Sequence, residues 1–254
     1  MNCIVEGNSI RSTARLTNSS KDTVMRLQNA VGEACANFHH NHVVNLPCRY
    51  IQVDEVWSFI RAKEKNVHQG IVGKAGDAWL WTSICNDTKI IPTWYIGLRD
   101  AQSAHEFAQD LASRLANRIQ LTSDGNKVYL KAIENAFGHD IDYRMLIKHY
   151  DQSKDEPDTI IGTPDDNYMH NNYIERSNLT LRMCNRRFTR KTNAFSKRVE
   201  NHINSVSLTF TYYNFCRMHK TIKTTPAIAA GVTDRVMTLE EIVEMSDRYW
   251  ENKK

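Results

Sequence analysis

The segment YIQVDEVWSFI, residues 50–60, is rich in β-branched and aromatic side chains and carries two adjacent acids near its centre. This composition is typical of a β-strand. Two similar segments follow after polar turn residues, WLWTSICND at 79–87 and KIIPTWYIGL at 89–98. Together the three segments predict an antiparallel meander. Because Pro92 lacks an N–H donor, we expect part of the third strand to lie at a sheet edge or a bulge.

Helical and strand patterns alternate after the meander. The four segments are SAHEFAQDLASRLANR (103–118, helix), RIQLTSD (118–124, strand), KVYLKAIENAF (127–137, helix) and IDYRMLIKHYD (141–151, strand). The predicted order is therefore β-β-β-α-β-α-β, followed by a loop and helices. This is the order of the ribonuclease-H-like fold, an α/β fold in which a mixed sheet carries helices on both faces.

A helix, a tight turn and a second helix are predicted ahead of the sheet. Ser9 is a candidate cap for a helix through Leu16, and Ser19 or Ser20 for a helix from about Lys21 toward Phe38. The expected buried positions are Ile10, Ala14, Leu16, Val24, Leu27 and Val31. The outward positions Lys21, Thr23 and Arg26 are those that a recognition helix offers to a DNA groove. A plain helical hairpin packed on the main domain is the alternative.

Two acids lie on strands that are neighbours in this topology. Asp54 is in the middle of the first strand, and Asp124 ends the fourth strand, just before Gly125. Adjacent carboxylates repel one another unless a cation lies between them, so the arrangement predicts a metal site. Glu175, on a later helix, would complete it. An oxygen-only site suits Mg²⁺ or Mn²⁺, and two ions about 3.5 to 4 Å apart can activate the attacking oxygen and stabilise the leaving oxygen of a phosphoryl displacement.

The segment NNYIERSNLTLRMCNRR, residues 171–187, is predicted to be the helix that carries Glu175. Helical spacing gives this segment one polar face and one apolar face. We expect Ile174 and Leu181, on the apolar face, to pack on the sheet. The polar face consists of Asn171, Glu175, Asn178 and Arg182.

A basic strip begins on this helix and continues beyond it. It comprises Arg176, Arg182, Arg186, Arg187, Arg190, Lys191, Lys197 and Arg198, with no acid after Glu175 until Glu200. Such a strip is suited to phosphate contacts. The predicted DNA contacts are Lys21, Thr23, Arg26, Asn178, Arg182, Arg186, Arg187, Arg190, Lys191 and Lys197. A solvated basic helix is the alternative.

Other polar residues are weaker candidates. Strand alternation points Asp54 and Glu55 in opposite directions, so we expect only Asp54 to join the metal site, with Glu55 held by a hydrogen bond or a partner cation. His149 and His170 are candidates for assisting water or contacting DNA, although isolated histidines are more often structural.

Composition excludes several classes of protein. The 254 residues are 41% hydrophobic and 24% charged, which is enough for one sizeable core and a small second module. No run approaches the roughly 18 consecutive apolar residues of a membrane span, and no export signal is apparent, so a cytoplasmic location is expected. The six cysteines form no C-x-x-C pair, so their spacing supports neither a zinc site nor a disulfide framework.

Four stretches resemble bacterial insertion-sequence transposases, most closely the insertion sequence one family, with Asp-Asp-Glu chemistry. They are VDEVWSF (53–59), LTSDG (121–125), YIERSNLTLRMCNRRFTRKTNAFSK (173–197) and TTPAIAAGVTD (224–234). The third is the most specific, because it combines the acid, an asparagine one turn later and the basic tail. The resemblance covers nearly the whole chain from the helix pair onward.

The resemblance implies that Asp54, Asp124 and Glu175 hold two divalent ions. It also implies that the chain cuts DNA at the ends of its element to free 3′ hydroxyls and joins them to target DNA. Members of the family often carry a cysteine-rich zinc module ahead of the helix-turn-helix. No such cysteines precede Ser9, so we expect either a short lineage or a missing upstream segment.

The sequence therefore predicts a DNA transposase in three parts: a helix-turn-helix region at 1–46, a ribonuclease-H-like catalytic domain at 47–235, and a C-terminal helix or tail at 236–254. The expected partners are transposon-end and target DNA, with a homo-oligomer of at least two copies in the active complex. A related nuclease that cuts without joining and a non-catalytic DNA-binding regulator are the alternatives.

Overall fold

A computed structural model describes residues 1–68, 74–147, 156–168 and 170–253. The helices of these residues are α1 (Asn2–Val5), α2 (Ile10–Leu16), α3 (Lys21–His42), α4 (Ala101–Ser113), α5 (Val128–Phe137), α6 (Asn172–Cys184), α7 (Val199–Phe215), α8 (Pro226–Ala229) and α9 (Leu239–Glu251). The strands are β1 (Tyr50–Ile60), β2 (Gly76–Cys85), β3 (Trp94–Gly97), β4 (Ile119–Asp124), β5 (Ile141–Ile147) and β6 (Glu156–Ile161).

The strands form one open mixed sheet in the order β3-β2-β1-β4-β5-β6. Strands β1, β2 and β3 pair antiparallel, which confirms the predicted meander. Strands β1, β4 and β5 pair parallel, so the first and fourth strands are neighbours, as predicted. Strand β3 lies at a sheet edge, as expected, but it is shorter than the predicted segment 89–98, and Pro92 lies just ahead of the strand instead of within it.

Strand β6 lies in a segment for which the sequence predicts a loop, so its presence corrects that expectation. It pairs antiparallel with β5 at the other edge of the sheet, and its Pro157 lies opposite Leu146. An edge strand tolerates proline, since one side of its backbone needs no partner. The predicted strand 141–151 is observed as β5 up to Ile147, and residues 148–151 lie outside the described residues.

Helices cover both faces of the sheet. On one face Val53 and Trp81 share a buried cluster with Phe107 and Leu111 of α4 and Ile133 of α5. On the other face a second buried cluster joins β1 and β2 to α6 and α7 through Val56, Leu80, Leu181, Val206 and Phe210. Successive residues of β1 therefore point to different helices, which matters for the two adjacent acids of this strand.

The predicted caps of the N-terminal helices are confirmed. Ser9 Oγ accepts a 3.1 Å hydrogen bond from the Ser12 N–H, and Ser20 Oγ accepts one of 3.0 Å from the Thr23 N–H. Helix α3 then runs to His42, beyond the expected end at Phe38. The predicted burial of Leu16 and Leu27 is wrong, because their side chains are 66% and 41% exposed.

Leu16 and Leu27 are exposed because α3 packs on the rest of the protein through a different face. A third cluster joins α1, α3, α7 and α9 through Ile4, Val5, Val24, Val31, Cys35, Leu208 and Ile242. Leu27 lies at the edge of this face of α3, and Leu16 lies at the end of α2. Gly32 marks the crossing of α3 and α7, where an added Cβ would lie 2.2 Å from the Asn204 carbonyl oxygen. The proposed domain boundaries at 46/47 and 235/236 stay predictions.

Within the described ranges, no helix combines the length and apolar character that crossing a bilayer requires.

Candidate metal centre

Three carboxylates converge where β1 and β4 separate. The pairing of these strands ends at Gln52 and Thr122, and Asp54 and Asp124 each lie two residues further along. One carboxylate oxygen from each of Asp54, Glu55 and Asp124 lies within 4.8 Å of the others. This acidic cluster has the oxygen donors and the spacing to hold a metal ion.

The presence of Glu55 in this cluster corrects the expectation that only one of the two adjacent acids would join it. Alternation does place Asp54 toward α6 and Glu55 toward the turn between β4 and α5, as their hydrogen bonds to Asn178 and Asn126 show. However, β4 ends at Asp124. Beyond this residue no strand of the described residues pairs with this edge of β1 to keep apart the side chains on the two faces of the sheet. The carboxylates therefore approach one another around the end of β4.

Helix α6 is attached to β1 at two points. Gln52 Oε1 accepts hydrogen bonds from the N–H groups of Tyr173 and Ile174, at 3.0 and 2.9 Å. Asp54 Oδ2 accepts a 2.7 Å bond from Asn178 Nδ2. Gln52 and Asp54 are two residues apart, so they share one face of the strand. The two attachments hold the first turns of the helix against the strand that carries Asp54.

Glu175 lies between these two attachments, on the first turn of α6, and its residue is exposed. Among the described residues it does not belong to the carboxylate cluster around Asp54. Its assignment as the third metal ligand stays a prediction. The apolar face of the helix is confirmed, since Ile174 and Leu181 are buried. On the polar face, Asn171 and Asn178 are buried and Arg182 is half-buried.

Glu55 is held by both kinds of partner that were predicted for it. Asn126 Nδ2 donates a 2.6 Å hydrogen bond to Glu55 Oε1, and Arg99 Nη2 lies 3.7 Å from Glu55 Oε2. Burial, and next the charge of Asp124, raise the pKa of Glu55 to about 7, although Asn126 and Arg99 act in the opposite direction. The Asn126 N–H also donates to Asp124 Oδ1 at 3.1 Å, so one residue holds two of the acids.

Two buried hydroxyls beside the cluster have no hydrogen-bond partner among the described residues, Tyr129 OH and Thr82 Oγ1. Tyr129 is fully buried, and burial followed by the charges of Glu55, Asp54 and Asp124 raises its pKa well above the ordinary value. Thr82 pairs with Asp54 across the β1–β2 ladder. Buried polar groups normally have partners, and waters bound to a cation would supply them. The residues present therefore fit a hydrated divalent ion.

Of the two histidine candidates, His170 lies within the described residues. His170 Nδ1 lies 3.0 Å from Gln52 Nε2, so this ring belongs to the attachment of α6 to β1. His149 lies outside the described residues.

The predicted DNA contacts are mostly exposed. The exposed residues are Lys21, Thr23, Arg26, Arg186, Arg190, Lys191 and Lys197. A groove of about 780 Å³ runs between the N-terminal helix pair and residues 185–197. Its lining contains five cations and one acid: Arg11, Lys21, Arg186, Arg187 and Lys197, with Asp22. The helix pair and the basic strip, predicted separately, thus border one positively charged groove.

Arg187 differs from the other basic residues of the strip. Its guanidinium donates 2.8 Å hydrogen bonds to Ser196 Oγ and to Gln28 Oε1 of α3. Burial lowers its pKa to about 10, so the side chain remains cationic at neutral pH. It ties the strip to the N-terminal helices. Asn178, also a predicted DNA contact, is buried and directs its amide to Asp54.

Sequence reasoning missed four residues of the site. Gln52 had a signal, since it precedes Asp54 by two residues on a strand and must share its face. Asn126 had a weaker one, as a polar residue directly after Asp124-Gly125. No sequence signal marks Arg99 or Tyr129. Arg99 simply follows a strand, and Tyr129 lies in an ordinary helical pattern.

No protein-family model and no curated protein matches the sequence.

Proposed function

We propose that the chain is a metal-dependent DNA transposase with a ribonuclease-H-like catalytic domain. The observation that carries the proposal is the two-point attachment of α6 to β1. It brings the helix of Glu175 against the strand of Asp54, and Asp124 lies at the adjacent strand end. An unrelated α/β protein has no need for three elements that carry acids to meet at one place.

The sheet supports the finer assignment of the fold. An antiparallel meander is followed by two parallel strands, β1 lies beside β4, and helices cover both faces. Strand β6 extends this arrangement at one edge. The meeting of β1 and β4 is where a ribonuclease-H-like sheet carries its acids.

The residues around the acids suit phosphoryl transfer on DNA. Bound Mg²⁺ or Mn²⁺ ions would activate the attacking oxygen and stabilise the leaving oxygen. The chain's own contribution is to orient the ligands. Asn178 and the Glu55 N–H hold the two oxygens of Asp54, and Asn126 holds Asp124. Fixed carboxylates lose less conformational freedom when a cation binds.

The basic groove supports DNA as the substrate. Its cations come from both the helix pair and the strip, so one duplex backbone would contact both. Transposition requires two DNA ends to be held together, and we infer an active complex of at least two copies.

The test combines labelled DNA from the flanks of the gene with a supercoiled target plasmid, in Mg²⁺, Mn²⁺ or chelator. We expect metal-dependent joined products that disappear in Asp54→Asn, Asp124→Asn and Glu175→Gln. The exposed Asp247 of α9 offers a matched control, and Asp247→Asn should retain activity.

Each other result identifies an alternative. Cleavage without joining would favour a nuclease, and DNA binding without cleavage under every metal condition would favour a regulator. Full activity in Glu175→Gln would remove Glu175 from the site.

A further inference from the structure

The side chain of Glu55 lies at the inner side of the carboxylate cluster. It is only 1% exposed, whereas the side chain of its ionic partner Arg99 is 44% exposed. A buried carboxylate next to Asp54 and Asp124 requires nearby positive charge, because three anions in one place repel one another. Arg99 provides that charge to Glu55 from the solvent side, and the charge of Arg182 acts on Asp54.

Arg99 is anchored in this position by a second contact. Its guanidinium lies over the Trp79 ring, 4.9 Å from the centroid, while Nη2 lies 3.7 Å from Glu55 Oε2. The ion pair is longer than a direct hydrogen bond. Glu55 Oε1 accepts a direct 2.6 Å hydrogen bond from Asn126. Glu55 Oε2 has only the longer ionic contact with Arg99 and can still bind a cation.

An independent observation points to a ligand at the same place. Tyr129 is fully buried, its hydroxyl has no partner among the described residues, and the charges acting on it are those of Glu55, Asp54 and Asp124. A buried hydroxyl that is under the influence of three carboxylates and has no partner can bond to a group bound between them. The water of a hydrated divalent ion would accept or donate that missing hydrogen bond.

We propose that Glu55 is a direct ligand of a divalent cation that Asp54 and Asp124 also bind. In the absence of this cation, the positive charge of Arg99 partly neutralises the carboxylates. Binding of the cation and the ion pair with Arg99 thus compete for Glu55. This site needs no contribution from Glu175. The proposal deepens the proposed function and rests on its metal dependence, not on its DNA chemistry.

The experiment is Mn²⁺ binding to the purified full chain without DNA, followed by electron paramagnetic resonance of the free ion. Glu55→Gln keeps the size and the acceptor of the side chain but removes its charge. We expect Mn²⁺ binding to weaken by on the order of 10–100-fold or more, since loss of an outer partner of a ligand already has an effect of that size. Arg99→Gln should instead tighten binding by about two- to fivefold, the range for an ion pair with an exposed partner.

Controls separate these effects from general changes in charge or folding. Arg248→Gln removes an exposed cation of α9 and should leave Mn²⁺ affinity unchanged. If Glu55→Gln does not fold, Glu55→Asp provides the test, because it keeps the charge but shortens the side chain by one methylene. A direct ligand should then bind Mn²⁺ more weakly, whereas a carboxylate that acts only through its charge should not.

Unchanged Mn²⁺ affinity in folded Glu55→Gln, or weaker binding in Arg99→Gln, would overturn the proposal. The result is independent of the proposed function. A chain that binds Mn²⁺ through Glu55 but neither cuts nor joins DNA would contradict only the transposase assignment.

Discussion

The Asn178 side-chain amide donates a 2.7 Å hydrogen bond to Asp54 Oδ2 and so links helix α6 to the central strand of the sheet. The other oxygen of Asp54 accepts from the Glu55 N–H at 2.8 Å. The carboxylate is therefore held in one orientation from both sides. The amide three residues after Glu175 acts on the acid of another element, which explains why a helix with one acid carries this asparagine.

Asn178→Asp should place a second charge against Asp54 and remove the donated bond. We expect metal-dependent DNA cleavage to fall about 100-fold, as expected for a displaced catalytic group. The matched control is Asn172→Asp at the exposed start of the same helix, where a negative charge is favourable. Normal cleavage rates in Asn178→Asp would show that Asp54 needs no such support.

Gln52→Ala should release the start of α6 from β1. Two N–H groups, of Tyr173 and Ile174, lose their acceptor at a buried site, and we expect the free energy of unfolding to drop by about 1–3 kcal/mol. Urea denaturation measures the change. Gln102→Ala, at an exposed position of α4, should change it by less than about 0.5 kcal/mol. Equal effects of the two variants would contradict the attachment.

Two buried histidines predict loss of stability in acid. Burial, and next the charge of Arg114, lower the pKa of His39 to about 4, and burial followed by the charge of Arg187 lowers that of His202 to about 3. Below the ordinary value of about 6.5, the unfolded chain binds protons that the folded chain does not. The free energy of unfolding should therefore fall from pH 6.5 downward, by up to about 3 kcal/mol per imidazole at pH 4.

Denaturation curves between pH 8 and pH 4.5 check this slope. His202→Gln should be less stable at pH 8, because it breaks bonds to Ser58 and Ser196, but should show a shallower decline in acid. His139→Gln, at an exposed position, should keep the slope of the original chain. A slope that is identical in all three proteins would exclude His202 as a source.

Arg186 and Arg187 should have different roles although they are adjacent. Arg186→Ala should weaken DNA binding uniformly across sequences and reduce the slope of log affinity against log salt by about 0.9. Arg187→Ala should mainly destabilise the fold, because it removes bonds to Ser196 and Gln28. The double variant should show both effects. An unchanged salt slope in Arg186→Ala would contradict a phosphate contact.

Local patterns in the sequence were sufficient where local physics dominates. The caps Ser9 and Ser20, the meander, and the burial of Ile174 and Leu181 follow from hydrogen-bonding capacity and periodicity over a few residues. The adjacency of β1 and β4 followed from the order of elements.

What the sequence did not predict depends on where strands and helices end in space. Glu55 joins the acids because β4 stops at Asp124, and alternation alone contains no information on the length of a neighbouring strand. Arg187 looks like any other residue of a basic strip until α3 is packed against it. Likewise, β6 combines the β-branched residues Thr159, Ile160 and Ile161 with Glu156, Pro157 and Asp158, which disfavour strands, so its pairing depends on the free edge that β5 offers.

The contact between Gly32 and Asn204 fixes the distance between the N-terminal helix pair and the carboxylate cluster. Because only a hydrogen side chain fits there, α3 lies directly on α7, and α7 in turn packs on the sheet that carries the acids. The helix pair is thus seated on the body of the protein and not carried on a tether. In a DNA complex, the number of base pairs between the contacts of Lys21 and the phosphate that is cut would be set by this packing, as by a ruler. An element end with two base pairs inserted in that interval should be bound as well as the original but cut at a shifted position.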